Sequence, residues 1–110
     1  MSRSTPSSAF LQNAETQLRE LMLLGLQGNA QAHGKLLTEL ALLLRKFFQR
    51  RLSYQHAEVE DLVQETLLAV HTRRATYDPD QAFTAWAYAV ARYKLIDYLR
   101  RQRLDRKSVV

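Results

Sequence analysis

The sequence predicts an all-α fold, a compact bundle of about four helices, and three observations carry that prediction. Glycine and proline number only three and two in 110 residues, too few for an all-β chain, which needs a turn signal roughly every 8 to 12 residues. Apolar residues recur at spacings of three and four along most of the chain, the period of a helix with one face buried. With 46% apolar residues, a chain of this length suits one domain with a single core, and a second full domain is excluded.

Each element follows from its own pattern. Residues 1–9 are small and polar and are expected to form a disordered tail, so the helical domain should begin at residue 10. Leu11, Ala14, Leu18, Leu21 and Met22 then mark a first amphipathic helix, which Gly25 and Gly28 should end. Asn29 is an N-cap for a second helix carrying Leu36, Leu37, Leu40, Leu43, Leu44 and Phe47 as its apolar stripe and running to about Leu52. After a polar break at residues 53–56, Val59, Leu62, Val63, Thr66, Leu67 and Val70 repeat the spacing in a third helix, which should stop near Arg73 or Arg74. Residues 75–82 include Asp78-Pro79-Asp80; proline restricts the residue before it and removes a backbone donor, so a loop belongs there. A fourth helix should run from Phe83 to about Arg103, apolar nearly all round at its start, with Leu40, Phe47, Leu62, Leu67, Trp86 and Val90 sharing the core. The domain should close at residue 104, and residues 105–110 should begin a linker.

Sixteen basic against eleven acidic residues give a net charge of +5, which favours an anionic partner. No cysteine is present, which excludes disulfides, thiolate nucleophiles and thiolate metal sites. No run reaches the roughly 18 apolar residues of a membrane span, and the Ser-rich start lacks the layout of a secretory signal. The expectation is a cytoplasmic protein without membrane insertion. His33, His56 and His71 are scattered, without a second ligand at metal spacing. Asp61 and Glu65 stand one turn apart without a His, a Cys or an apolar pocket to tune an acid and a base. With no glycine-rich phosphate loop either, neither catalysis, nor a metal, nor a cofactor is expected.

The charges are unevenly spread. Residues 57–82 hold six carboxylates and two basic side chains, between flanks that are strongly basic. At about 100° per residue, Asp61, Gln64, Glu65, Leu68 and Thr72 fall on one face of the third helix, opposite its apolar stripe. Such an island gains nothing from phosphate, which its carboxylates repel. It is either a solvated face whose Glu58, Glu60 and Asp61 complement the helix dipole, or a surface for a basic protein partner. The loop and the fourth helix interleave Tyr77, Phe83, Trp86, Tyr88, Tyr93 and Tyr98 with Arg92, Lys94, Arg100, Arg101 and Arg103. Rings stack on unpaired bases and cations follow the backbone, the combination that single-strand binding uses. Core packing of the rings and a dipole role for the arginines account for the same pattern.

The run Ala57-Glu58-Val59-Glu60-Asp61-Leu62-Val63-Gln64-Glu65-Thr66-Leu67-Leu68-Ala69-Val70 resembles the second conserved region of bacterial RNA polymerase sigma factors of the extracytoplasmic-function (ECF) group. The similarity continues through Tyr77-Asp78-Pro79, Phe83-Thr84-Ala85-Trp86-Ala87-Tyr88-Ala89-Val90-Ala91-Arg92 and Leu95-Ile96-Asp97-Tyr98-Leu99-Arg100-Arg101. Upstream, Gly28-Asn29-Ala30 with Leu36 and Leu40 is similar to the family's opening helix pair, so the resemblance covers roughly Leu18 to Arg103.

The resemblance implies a non-enzymatic transcription initiation factor with two surfaces. The acidic helix would dock on a coiled coil of the polymerase's largest subunit through Asp61, Gln64, Glu65 and Leu68. The loop, with Tyr77, Asp78, Asp80, Gln81 and Ala82, would recognise the promoter −10 element and hold a flipped base. Arg92, Lys94, Arg100 and Arg101 would meet phosphates, and Trp86 would be mainly core. Core RNA polymerase, promoter DNA and an anti-sigma factor are the implied partners, and the tail is expected to lead towards a second domain that reads the −35 element. Gln81 and Ala82 stand where the family often has Gly or Ser, Tyr93 replaces a frequent Asn, and Ala89 replaces a common Arg; the first of these bears on how the fourth helix is capped. The alternative reading is a helical protein-interaction module with non-specific nucleic-acid binding, and a third is a regulator that mimics such a domain and sequesters its partner.

Overall fold

The computed structural model describes residues 6–53 and 56–108, with side chains described over 13–53 and 56–105. Among these residues four helices follow one another: α1 (Pro6–Leu26), α2 (Ala30–Leu52), α3 (His56–Thr72) and α4 (Phe83–Ser108), with a 3-10 turn at Arg74–Thr76 before the loop. No strand occurs among the described residues. The all-α prediction and the four-helix count hold.

Several boundaries differ from the sequence reading. Helix α1 begins at Pro6, inside the stretch expected to be a tail; proline suits a first helical position because its missing N–H would be unpaired there anyway. Residues 1–5 lie outside the described residues, as do 54 and 55 of the polar break and 109 and 110 of the expected linker. Helix α4 runs on to Ser108 rather than stopping near Arg103, and its tail carries nothing that would break a helix.

Gly25 does not end α1 but lies within it. A side chain there would meet His33 Cβ at 3.2 Å, so glycine lets α2 approach closely. Gly28 makes the actual stop. Its φ of +103° is a conformation that favours glycine. Its N–H donates to Gly25 O at 3.0 Å, and that of Asn29 donates to Leu24 O at 3.0 Å, which satisfies the last carbonyls of α1 in a Schellman arrangement. Asn29 then caps α2, its side-chain oxygen accepting from Ala32 N at 3.0 Å. Asn29 thus serves both helices, its N–H on the end of α1 and its side chain on the start of α2.

Helix α2 is central, packing on α1, α3 and α4. Its fully buried positions, Ala32, Leu36, Leu40, Leu44, Phe48 and Leu52, are spaced by four. A ladder with that step winds about 40° round the helix each time, which suits a helix with neighbours on several sides. Phe48 is the buried aromatic, and Phe47, expected in the core, is half-buried with Arg51 stacked on its ring at 3.8 Å. Leu67 and Trp86 are likewise only partly buried, packed against the core from its edge, whereas Leu40, Leu62 and Val90 are buried as expected. Arg45 ties α2 to α3 on the surface, donating to both carboxylate oxygens of Glu60 at 2.6 and 3.1 Å.

Candidate functional site

On α3, Val59, Leu62, Val63, Thr66, Ala69 and Val70 point inward, which leaves Asp61, Gln64, Leu68 and Thr72 exposed on the opposite side and Glu65 half-exposed at its edge. Leu68 is 62% exposed, more than any other large apolar residue described. It stands between two shallow grooves. One, of about 530 Å³, lies between α2 and α3 and is lined by Leu37, Thr38, Ala41, Gln64, Leu67, Leu68 and His71. The other, of about 340 Å³, lies towards α4 and is lined by Glu65, Leu68, Ala69, Thr72, Arg73 and Lys94. The result is an apolar ridge with carboxylates beside it and a furrow on each flank.

The loop before α4 is fastened from beneath. Tyr77 is 4% exposed, its ring 5.7 Å from that of Phe83 and 5.4 Å from that of Trp86, so it anchors the loop rather than presenting a ring. Its hydroxyl donates to Gln81 O at 2.5 Å. Burial pushes that hydroxyl's pKa up, against the opposing pull of the Arg19 guanidinium. Asp78 accepts from Asp80 N at 3.0 Å through Oδ1 and from Gln81 N at 2.9 Å through its carbonyl, a turn closed on itself. Residues 78–82 are all exposed.

Two residues of α1 that the sequence reading passed over reach this loop. Glu15 accepts from Phe83 N at 2.8 Å and from Thr84 N at 2.7 Å, one bond to each oxygen. Partial burial raises its pKa, but the hydrogen bonds from Thr84 and Phe83 and the charge of Arg19 outweigh that, and the carboxyl is held below its ordinary value. Arg19, one turn further along, donates to the carbonyl of Pro79. The available signal was Ala82: a helix start without a side-chain acceptor needs one from elsewhere.

The basic residues of α4 divide into two sets. Arg92 and Arg100 are exposed, and the helical period puts them on one face with Arg103 and the exposed Ile96. Lys94 and Arg101 turn towards α3 instead. Lys94 lines the groove beside Glu65 and Leu68, and Arg101 lies 3.4 Å from Asp97 and 3.9 Å from Glu65. Arg73 is set over the Tyr93 ring at 6.0 Å.

The histidines are not all scattered. His33 Nε2 and His71 Nδ1 are 2.9 Å apart across the α2–α3 junction, and Arg74 donates to His71 O at 2.6 Å. Desolvation lowers the pKa of His33, with the charges of Arg74 and His71 adding to it. No third metal-ligand side chain joins them among the described residues.

The family model described as Sigma-70 region 2 matches residues 36–104, more than half of the chain. Over 92 residues the chain is 55% identical to a protein of Caulobacter vibrioides (strain NA1000 / CB15N) named ECF RNA polymerase sigma factor SigF, covering 84% of this chain and 51% of that protein. It is 29% identical over 92 residues to RNA polymerase sigma factor CnrH of Cupriavidus metallidurans, covering 84% of this chain and 48% of that one. A probable RNA polymerase sigma factor of Haemophilus influenzae shares 42% identity over 43 residues, 39% of this chain and 22% of its own length. The chain therefore spans about half the length of the first of these relatives. No solved structure gives a significant match.

Proposed function

The chain belongs to the sigma-70 region 2 family, as the region 2 domain of an ECF-group sigma factor, and from that premise we propose that it joins core RNA polymerase to the promoter −10 element. Sigma factors are non-enzymatic initiation factors, so the proposal concerns two binding surfaces. The first is the ridge of α3. Asp61, Gln64, Glu65 and Leu68 meet a coiled coil of the polymerase's largest subunit, with Leu68 entering between its side chains and the carboxylates meeting basic residues at the rim. The second is the loop 77–82 with α4. The exposed Asp78, Asp80, Gln81 and Ala82 face an unpaired base of the non-template strand, Tyr77 holds them from below, and Arg92 and Arg100 follow the phosphates, with Lys94 and Arg101 at the margin nearer α3. An anti-sigma factor would act by covering one or both surfaces.

The observation that carries the proposal is the presence, in one small domain, of an acid-flanked exposed leucine on α3 and a backbone-fastened, solvent-facing loop at the start of a basic helix. A module that merely coats nucleic acid requires neither. Asp61→Lys tests the docking half, since Asp61 is exposed and, unlike Glu65, has no ion-pair partner among the described residues whose loss would confuse the result. The variant should keep its helicity and bind purified core polymerase at least about tenfold more weakly, through a slower association that is sensitive to salt. Unchanged affinity in Asp61→Lys and Leu68→Ala alike would remove α3 as the docking helix.

A further inference from the structure

We infer that Glu15 and Arg19 of α1 are positioning residues that preset the loop 77–82 and so govern how selectively it takes a base; the inference rests on reading that loop as the −10 contact.

A helix leaves its first four N–H groups without partners inside the helix. The usual remedy is a Ser, Thr, Asp or Asn at the N-cap, but here that position is Ala82, whose carbonyl accepts from Trp86 N at 3.2 Å and whose methyl accepts nothing. Glu15 makes up the deficit from another helix, 68 residues away in sequence, giving one oxygen to Phe83 N and the other to Thr84 N. Its charge sits at the positive end of the α4 dipole, where a carboxylate is stabilised. One turn along the same face of α1, Arg19 holds the Pro79 carbonyl. The loop is thereby pinned at its end by Glu15, at its middle by Arg19, and across its base by the Tyr77 hydroxyl on Gln81 O.

What this leaves free matters. The backbone at Pro79, Gln81, Phe83 and Thr84 is engaged, while the side chains of Asp78, Asp80 and Gln81 are exposed. A loop ordered in advance does not have to be ordered on binding. It also cannot rearrange to suit a poorly matched base, whose polar groups are left unpaired against it. Rigidity imposed from α1 therefore acts on the ratio of affinities between bases.

The test uses the 110-residue chain bound to core polymerase, titrated with single-stranded non-template oligonucleotides that carry each base in turn at every −10 position. Glu15→Ala should lower the ratio between best and worst base by roughly tenfold, the scale of one polar contact imperfectly met, with polymerase affinity unchanged. Glu15→Gln keeps an acceptor oxygen at the start of α4, and should retain helicity and most of the selectivity. Arg19→Met keeps the stem, removes the donor and caps nothing, so it should reduce selectivity with helicity and salt dependence unaltered. Full selectivity in both Glu15→Ala and Arg19→Met would overturn the inference alone. So would helicity retained by Glu15→Gln with selectivity lost as fully as in Glu15→Ala, or a salt slope reduced by about one unit in Arg19→Met, the mark of a direct phosphate contact. A wild-type chain indifferent to every base would overturn the loop reading and this inference together.

Discussion

Glu15 and His33 give the domain two separate responses to acid. In the folded chain the Glu15 carboxyl lies below its ordinary value of 4.5, so the folded state is favoured wherever that group is ionised. The contribution is complete above the unfolded value and disappears as pH falls through the lower folded one. His33 is also held below its ordinary value, 6.5, because the neutral ring suits its site beside His71 and Arg74. Its contribution is complete above about pH 6.5 and is lost as pH falls through the folded value. Thermal unfolding followed against pH should therefore show a first decline below about 6.5 that His33→Gln removes, and a second below about 4.5 that Glu15→Gln reduces, the Arg45-bonded Glu60 carboxyl, also held below its ordinary value, titrating in the same range. A third residue offers a gain: Thr66 is fully buried and its hydroxyl has no partner among the described residues. Thr66→Val keeps the shape and removes the unpaired group, and should leave stability unchanged or raise it by about 1 kcal/mol in denaturant unfolding.

At the scale of elements, the residue that joins α1 to α2 and the buried aromatic near the end of α2 are the points most exposed to substitution. Asn29→Ala removes the α2 cap and should cost about 0.5 to 2 kcal/mol. Phe48→Ala opens a cavity in a fully buried site and should cost about 3 to 5 kcal/mol, clearly more than Phe47→Ala. That ordering reverses what the sequence suggests, and the reason is physical. Phe47 and Phe48 are adjacent on a stripe that spacing alone draws too broadly, and only the winding of the four-residue ladder decides which one faces the core. The other helices show the same division between what is local and what is not. The Asn29 cap and the inward face of α3 were legible because they depend on neighbours within one turn. Gly25 was misread as a stop because its reason for being glycine is His33, on another helix. The tail of α4 was read short because charged residues propagate a helix as readily as they end one.

For the whole molecule, the two proposed surfaces are not independent. Arg101, expected on DNA, lies 3.9 Å from Glu65, expected on the polymerase, and Lys94 lines the groove beside Leu68. Neither juxtaposition could be read from the sequence, nor could the reach of Glu15 to α4, because side-chain period reports which face is buried and not which helix lies against it. The acidic face, the loop and the basic helix were all legible, and only the connections among them were missing. Since Arg100 is on the free face and Arg101 is engaged with Asp97 and Glu65, Arg100→Ala should weaken DNA binding uniformly across sequences and reduce the salt slope by about one unit or less, and Arg101→Ala should do so by less.

The most direct measurement is the affinity of the chain, bound to core polymerase, for single-stranded non-template oligonucleotides in which every −10 position carries each of the four bases. Base capture by the loop predicts at least one position where a single base binds more tightly than the other three, with a preference that changes when Asp78, Asp80 or Gln81 is replaced while the salt slope does not. Equal affinities at every position would contradict it, leaving a charged helical module that binds nucleic acid without reading it.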